Sequence, residues 1–295
     1  MKIDGFTYIR NGIKMGYPFI PSIKSILPVV DQLFVVVGDS DDGTREAVEA
    51  IADDKIVIID SVWDDEMRKS GQVFREQANI GLRESKADWL VHIQADEVIL
   101  EDSRDAIIKG IEEADAVADV DGLLFPYYHF WGDYDHIRHT RRTHPFEIRA
   151  FKNNRNVESY KDSQGFRIFN KEAKNEDGIK LNVIKVPVHI YHYSYTRHPK
   201  LMRNKSNYFD RFWHNNDWMK KNQEQEDFDF NNVDKLEVFT GKQPIFMKQT
   251  INNKDWEFKY DPSKSNMSLK DKFHNGWEKV FGYRLFSYKN YNLVE

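Results

Sequence analysis

Two adjacent acids, Asp96 and Glu97, are well placed to do chemistry because they directly follow an apolar stretch of the chain. That stretch, residues 89–93, predicts a buried strand. In open α/β sheets, ligands bind beyond the carboxyl ends of the strands. Carboxylates are costly to bury at such a position unless they are paired or bound to a metal. The pattern therefore indicates a site for a metal ion or a phosphate-bearing ligand.

A second polar cluster, GDSDDGT at residues 38–44, follows another apolar stretch. It places Asp39, Ser40 and Asp42 where a sheet would present them to a ligand. Gly43 permits a tight turn, and Thr44 can cap the next helix. Taken alone, this motif is accounted for by a polar turn that begins a helix.

A third cluster, VHIYHYSYTRHP, contains two histidines three residues apart, His189 and His192. On a strand they point to opposite faces, so they cannot easily share one metal ion. A single strand histidine is more often structural than a ligand. The basic residues that follow, Arg197, His198 and Lys200, could bind phosphate oxygens.

The 295-residue chain contains no cysteine, which excludes disulfides and thiolate metal sites. We expect no membrane-spanning helix and no signal peptide, because no apolar run is long enough, and this favours a cytoplasmic protein. Residues 1–121 carry 13 Lys and Arg against 26 Asp and Glu, whereas residues 122–295 carry 30 against 22. With a net charge of -5 and no dominant basic stripe, nucleic acid is not an expected partner.

The first half of the chain alternates between strand and helix patterns. We predict strands at 3–9, 33–37, 55–59 and 89–93, and helices at 19–27, 45–52, 73–84 and 103–114. This alternation predicts an α/β fold with a mainly parallel central sheet flanked by helices and right-handed crossovers. Further strands are expected at 122–128, 146–152 and 183–195. From residue 199 the chain looks helical and irregular, and the polar segment 222–234 is the best candidate for a mobile loop.

In this order, the motifs resemble those of family 2 glycosyltransferases with the GT-A fold. The resemblance covers residues 3–125 and runs through FTYIRNG, SIKSILPVVDQLFVVVGDSDDGTREAV, GQVFREQANIGL and DWLVHIQADEVI, with HYSYTRHP similar to a late segment of such enzymes. It implies three regions: a nucleotide-sugar-binding half at 1–125, an acceptor half of the same domain at 126–198, and a helical, aromatic-rich extension at 199–295.

The resemblance implies transfer of a sugar from a nucleotide diphosphate sugar, a UDP-sugar as first guess, to a saccharide or glycan acceptor in polysaccharide or glycan assembly. Asp96 and His192 would bind Mn²⁺ or Mg²⁺. The implied nucleotide-sugar-binding residues are Thr7, Arg10, Asn11, Asp39, Ser40, Arg75, Gln77, Gln94, Ala95, Asp96 and Arg197.

The chain departs from the family pattern at two positions. Gln94 stands where the metal motif usually begins with an acid, and an amide contributes no charge to metal binding. Val37 and Gly38 occupy the region where an aspartate usually reads the base, which makes Asp39 a displaced substitute.

Family 2 enzymes generally invert the anomeric carbon, and that chemistry needs a carboxylate to take the acceptor's proton. The segment VESYKDSQGFR lies in the corresponding region. We predict Asp162 as the base, with Glu158 as second choice. The alternative is that Asp162 only orders the turn that it begins.

The back half would supply the acceptor site. Trp131, Tyr134, Trp213 and Trp218 could be stacking surfaces for sugar rings, although core packing is the favoured interpretation for any single one of them. Residues 270–289 mix basic and aromatic residues, so they could lie on an anionic membrane surface, at the inner face of a membrane, or pack as a docked helix on the sheet. We favour the docked helix.

Two other functions remain open. A nucleotidyltransferase also uses an α/β sheet, a metal and a nucleotide, but IRNGIKMGYP is a poor version of its phosphate loop. A non-catalytic nucleotide-sugar- or carbohydrate-binding protein would tolerate Gln94.

Overall fold

The computed structural model describes residues 1–64, 67, 71–153, 156–170, 177–223 and 226–294. The strands are β1 (Ile3–Ile9), β2 (Gln32–Val37), β3 (Ile56–Asp60), β4 (Trp89–His92), β5 (Glu97–Val98), β6 (Gly122–Trp131), β7 (His136–Ile137), β8 (Phe146–Lys152), β9 (Val157–Tyr160), β10 (Gly165–Ile168), β11 (Ile179–Lys180), β12 (Asn182–Lys185), β13 (Ile190–Tyr195), β14 (Glu237–Val238) and β15 (Asn292–Leu293).

The helices are α1 (Phe19–Ile26), α2 (Thr44–Glu49), α3 (Gln72–Glu84), α4 (Arg104–Asp115), α5 (Pro199–Asp210), α6 (Asn216–Asn222), α7 (Lys248–Asn252) and α8 (Leu269–Phe281). Two 3₁₀ turns lie at Ile245–Met247 and Pro262–Lys264. No helix among the described residues is long and apolar enough to cross a membrane.

The first four strands form a parallel sheet in the order β4-β1-β2-β3. Successive side chains of a strand point to opposite faces, and both faces are buried here. Ile23 of α1 and Ile111 of α4 belong to the core on one face, and Leu82 of α3 to the core on the other. The α/β class, the mainly parallel sheet and its flanking helices are thus confirmed.

Helix α3 lies close to the sheet because Gly81 faces it. A Cβ atom at this position would lie 3.1 Å from both Phe6 Cβ and Val36 Cγ2, which is tighter than ordinary van der Waals contact. The absence of a side chain lets the backbone of α3 approach β1 and β2 directly.

The sheet becomes mixed beyond β4. Strand β8 pairs antiparallel with both β4 and β6, while β12 and β13 both pair parallel with β6. The prediction of a single strand at 183–195 was wrong. Two strands, β12 and β13, pair with successive parts of β6, and the segment between them includes Pro187. Proline lacks the N–H that a continuous ladder would need. Strand β15 completes this edge by pairing parallel with β12.

The segment 222–234, predicted to be a mobile loop, is anchored at its end. Phe230 and Val233 are buried in a cluster with Trp131, and Asp234 accepts hydrogen bonds from Arg138 and Thr140 at 2.7 and 2.5 Å. These buried apolar side chains hold this part of the chain in place, and the polar composition of the segment obscured them. Residues 224 and 225 lie outside the described residues.

A buried ion pair joins the start of β5, just after the turn that follows β4, to β8. Glu97 accepts hydrogen bonds from Arg149 Nε at 2.8 Å and Arg149 Nη2 at 2.7 Å, and further bonds from the Tyr127 hydroxyl and the Gln94 amide. Both charged side chains are almost fully buried. Burial opposes ionisation, yet Arg149 holds the pKa of Glu97 down at about 2. All four bonds are charge-assisted or buried, so this turn is held in one geometry.

Replacing Glu97 by glutamine should lower the free energy of unfolding by about 3–5 kcal/mol, because it leaves the Arg149 charge buried without a counter-charge. Urea denaturation measures the change. The matched control is Glu113→Gln, whose exposed pair with Lys109 spans 3.7 Å and is expected to contribute less than about 1 kcal/mol. Equal effects of the two substitutions would contradict the assigned role of Glu97.

Candidate functional site

A cavity of about 340 Å³ opens at the carboxyl ends of β1 and β4, beside the start of α3 and the middle of α5. Its lining residues are Tyr8, Ile9, Arg10, Met15, Tyr17, Trp63, Phe74, Gln94, Ala95, Asp96, Asp162, His192, Ser194, Lys205, Tyr208, Phe209 and Trp213. Seven of the residues singled out from sequence line this cavity: Arg10, Gln94, Ala95, Asp96, Asp162, His192 and Trp213.

Asp96 lies in the turn between β4 and β5, next to the Glu97 ion pair. Its Oδ1 is 3.7 Å from His192 Nε2, and its Oδ2 is 3.5 Å from Lys205 Nζ and 3.9 Å from Arg197 Nη2. Burial opposes ionisation, but these three basic neighbours bring the pKa of Asp96 below its usual value. Asp96 is therefore a carboxylate, and its two oxygens face different partners.

Lys205 reaches this carboxylate from α5. Its ammonium donates to Ser194 Oγ at 2.8 Å and lies 5.0 Å from the centre of the Tyr17 ring. Burial, reinforced by the nearby Arg197 charge, lowers the pKa of Lys205 to about 7. An anion entering the cavity would restore the charged ammonium.

His192 is oriented by a chain of histidines. His129 Nε2 lies 2.7 Å from the carbonyl oxygen of His144, and His129 Nδ1 lies 2.9 Å from His192 Nδ1. Burial keeps the pKa of both His129 and His192 below the usual value, which favours the neutral form of each ring. If His129 Nε2–H donates to the carbonyl, its Nδ1 accepts from His192 Nδ1–H. This assignment leaves His192 Nε2 with a lone pair directed towards Asp96.

The donor set fits a divalent cation held by two protein ligands. Asp96 Oδ1 and His192 Nε2 are an oxygen and a nitrogen acceptor only 3.7 Å apart, and a ring whose other nitrogen is hydrogen-bonded is typical of a metal ligand. Within the described ranges, no group of three or more metal-binding side chains occurs. Any further ligands would have to come from water or from a bound diphosphate, as Mg²⁺ commonly arranges.

Asp162 lies at the tip of the hairpin formed by β9 and β10. Its flanking residues, Lys161 and Ser163, have φ values of 52° and 62°, in the left-handed region that non-glycine residues seldom adopt. A Cβ atom on Gly71 would lie 2.7 Å from Asp162 Cβ, so the glycine makes room for this side chain. Burial raises the pKa of Asp162, which makes its carboxylate a stronger base.

The turn after β2 lies at the rim of the cavity. Arg10 Nη2 donates to Asp39 Oδ2 at 2.9 Å, and Asp39 Oδ1 accepts from the Trp63 amide at 3.2 Å. Ser40 Oγ accepts from the backbone amide of Asn11 at 3.0 Å. These bonds connect the ends of β1 and β2 and place the Trp63 ring against the opening.

Five other residues singled out from sequence also lie outside the cavity lining. Arg75 donates to Glu158 at 2.9 Å, so the second-choice base is half-buried in an ion pair. Gln77 accepts from Ser61 Oγ at 2.5 Å and supports the loop that carries Trp63. Thr7 is buried in β1. Arg197 is buried behind the cavity and donates to the Met15 carbonyl at 2.7 Å.

Sequence reasoning missed the aromatic wall of the cavity and Lys205. The wall is formed by Tyr8, Tyr17, Trp63, Phe74, Tyr208 and Phe209. These aromatic residues stand near the starts and ends of helices and strands in the sequence, but nothing in the sequence showed that they converge on one cavity. Of the proposed stacking residues, Trp213 lines the cavity, whereas Trp131 and Tyr134 are buried in the core and Trp218 stacks on His214.

No protein-family model and no curated protein matches the chain. Among solved structures, the chain is similar to S. aureus TarS 1-349 at 13% identity and a TM-score of 0.40, over 77% of this chain and 67% of that one. For a longer S. aureus TarS, the identity is 14% and the TM-score 0.40, and the match covers 71% of this chain and 39% of that one. For mannosyl-3-phosphoglycerate synthase from Rubrobacter xylanophilus, the identity is 17% and the TM-score 0.31, and the match covers 44% of this chain and 41% of that one. The chain thus spans about two fifths of the longer TarS, and similarity this distant assigns no activity.

Proposed function

We propose that this protein is a glycosyltransferase that moves a sugar from a nucleotide diphosphate sugar to an acceptor hydroxyl, with inversion of the anomeric carbon. The observation that carries the proposal is one cavity holding a carboxylate, Asp162, together with basic side chains gathered around Asp96. The resemblance of residues 3–125 to family 2 enzymes supports the same reaction.

The donor would lie along the strand ends, bound by Arg10, Gln94, Ala95 and Asp96, with Asp39 and Ser40 at the rim. The aromatic wall gives this cavity a low local dielectric, which strengthens charge interactions inside it. We take a UDP-sugar as the first donor to test, and a saccharide or glycan as the acceptor.

In the reaction, Asp162 accepts the proton of the acceptor hydroxyl while that oxygen attacks the anomeric carbon. The bond to the diphosphate breaks, and its electron pair leaves with the diphosphate oxygen. Lys205 lines the cavity beside Asp96, where its charge would stabilise the developing negative charge, and Arg197 adds positive potential from behind the lining.

Asp96 Oδ1 and His192 Nε2 are the residues that would hold Mn²⁺ or Mg²⁺. When bound, such a cation stabilises a leaving diphosphate as a Lewis acid. His129 fixes the ring nitrogen that faces the cation, so the protein side of this site is already oriented.

The activity itself is tested by incubating the protein with UDP-, GDP- and dTDP-sugars, with Mn²⁺, and measuring release of the nucleotide diphosphate. We expect turnover of at least one donor. Tight binding of a donor with no turnover of any would instead favour a binding protein.

Asp162→Asn should lower turnover by about 10²–10⁴-fold, the usual contribution of a positioned general base, while UDP affinity stays unchanged. Glu158→Gln is the matched comparison, because Glu158 pairs with Arg75 outside the cavity. Steady-state kinetics and calorimetry measure the two effects. Near-normal turnover of the asparagine variant, or a larger loss of turnover in the glutamine variant, would show that Asp162 is not the base.

Lys205→Met should weaken UDP binding by roughly tenfold or more when EDTA is present, because a charge-assisted bond to the diphosphate is lost. Lys109→Met is the control: it makes the same change at an exposed position of α4 that does not line the cavity. Calorimetry with and without Mn²⁺ gives the affinities. If wild-type protein binds UDP only with Mn²⁺, or if the Lys205 variant binds normally in EDTA, Lys205 is not a diphosphate ligand.

A further inference from the structure

Helix α8 packs against the protein with its polar side. Glu278 accepts from Arg284 at 2.8 Å and lies 3.1 Å from His139 Nε2, and His274 is buried. Ser268 caps the helix by accepting from the Asp271 amide at 3.1 Å. The acidic residues of this helix therefore face the protein or its own cap.

The opposite side of α8 is apolar and faces solvent. Leu269, Phe273 and Val280 are 85%, 61% and 75% exposed. They lie four and seven residues apart, a spacing that puts them on one stripe of a helix. In a helix that packs on a globular core, the apolar stripe faces inward. In α8 the orientation is the opposite, because the apolar stripe faces solvent. The expectation of a helix docked on the sheet does not account for this stripe.

The turn after α8 extends the apolar surface. Phe286 is 90% exposed and has a φ of 54°, in the left-handed region that favours glycine. A bulky aromatic residue held in that conformation is strained, and such strain is typical of functional sites. Phe281 and Tyr283 are also more than half exposed.

Lysines border this surface. Lys270 lies on one side of the stripe, and Lys272 and Lys279 lie on the other, all exposed. Lys289 is exposed beyond the turn. An apolar stripe with basic residues on both sides is typical of a helix that lies in the plane of an anionic bilayer surface.

We propose that α8 and the turn after it, residues 269–289, dock this protein on an anionic lipid surface. The aromatic and aliphatic side chains enter the interface, and the bordering lysines meet lipid phosphates. Charge favours this occupant over a second copy of the chain, because pairing two identical surfaces would bring their lysines together.

The test is flotation of the full chain with vesicles of phosphatidylcholine, alone or mixed with phosphatidylglycerol. We expect binding to the mixed vesicles that weakens as salt is added. Phe273→Glu combined with Phe286→Glu should lower partitioning by roughly tenfold or more, since two exposed rings no longer enter the interface. Lys270→Glu combined with Lys272→Glu should remove the preference for phosphatidylglycerol.

The control is Ile245→Glu, which places the same charge at another exposed apolar position, on a 3₁₀ turn that packs near α1, and should bind as wild type. Thermal melting shows that each variant is folded. Absence of wild-type flotation, or unchanged flotation of the double phenylalanine variant, overturns the proposal. A dimer in sedimentation that the phenylalanine variant abolishes, without vesicle binding, would assign the surface to a second copy.

Discussion

The bidentate pair between Glu97 and Arg149 is the constraint on which the site depends. It ties the turn after β4 to the middle of β8, and the Tyr127 hydroxyl adds β6 to the same carboxylate. Because an unpaired charge in this position would be very costly, the turn has a single acceptable geometry. Asp96 is the neighbouring residue in that turn, so its direction in the cavity is set by a partner that it does not touch.

The cavity combines this rigid turn with an unusual balance of charge. The single carboxylate of Asp96 faces two cationic side chains, Lys205 and Arg197. Arg10 lies at the rim, paired with Asp39. Rings of Tyr17 and Phe209 lie within 5.0 and 5.5 Å of the Lys205 ammonium, where water would otherwise screen it. Such a site is suited to a ligand that carries several negative charges and a flat ring.

The elements and site residues that could be predicted from sequence were those marked by a pattern within a few neighbouring residues. Strands β1 to β4 and their helices follow from periodicity over a few residues, and Asp96 was found because it ends one of those strands. Asp162 was predicted from its position before a turn, and only the structure shows the hairpin that carries it and its closeness to Gly71. Lys205 left no such signal, because it lies on a helix more than a hundred residues after Asp96 and only tertiary packing brings the two together.

The pairing of β15 with β12 has a consequence for how the chain is made. Leu293 lies beside Val183, a partner 110 residues earlier, and Asn290 accepts from Arg167 at 2.6 Å. During synthesis from the N-terminus, one edge of the sheet thus stays uncovered until the last of these residues leaves the ribosome. An uncovered edge is a template for unwanted strand pairing. The pairing of β15 with β12 therefore also covers this edge against unwanted strand pairing.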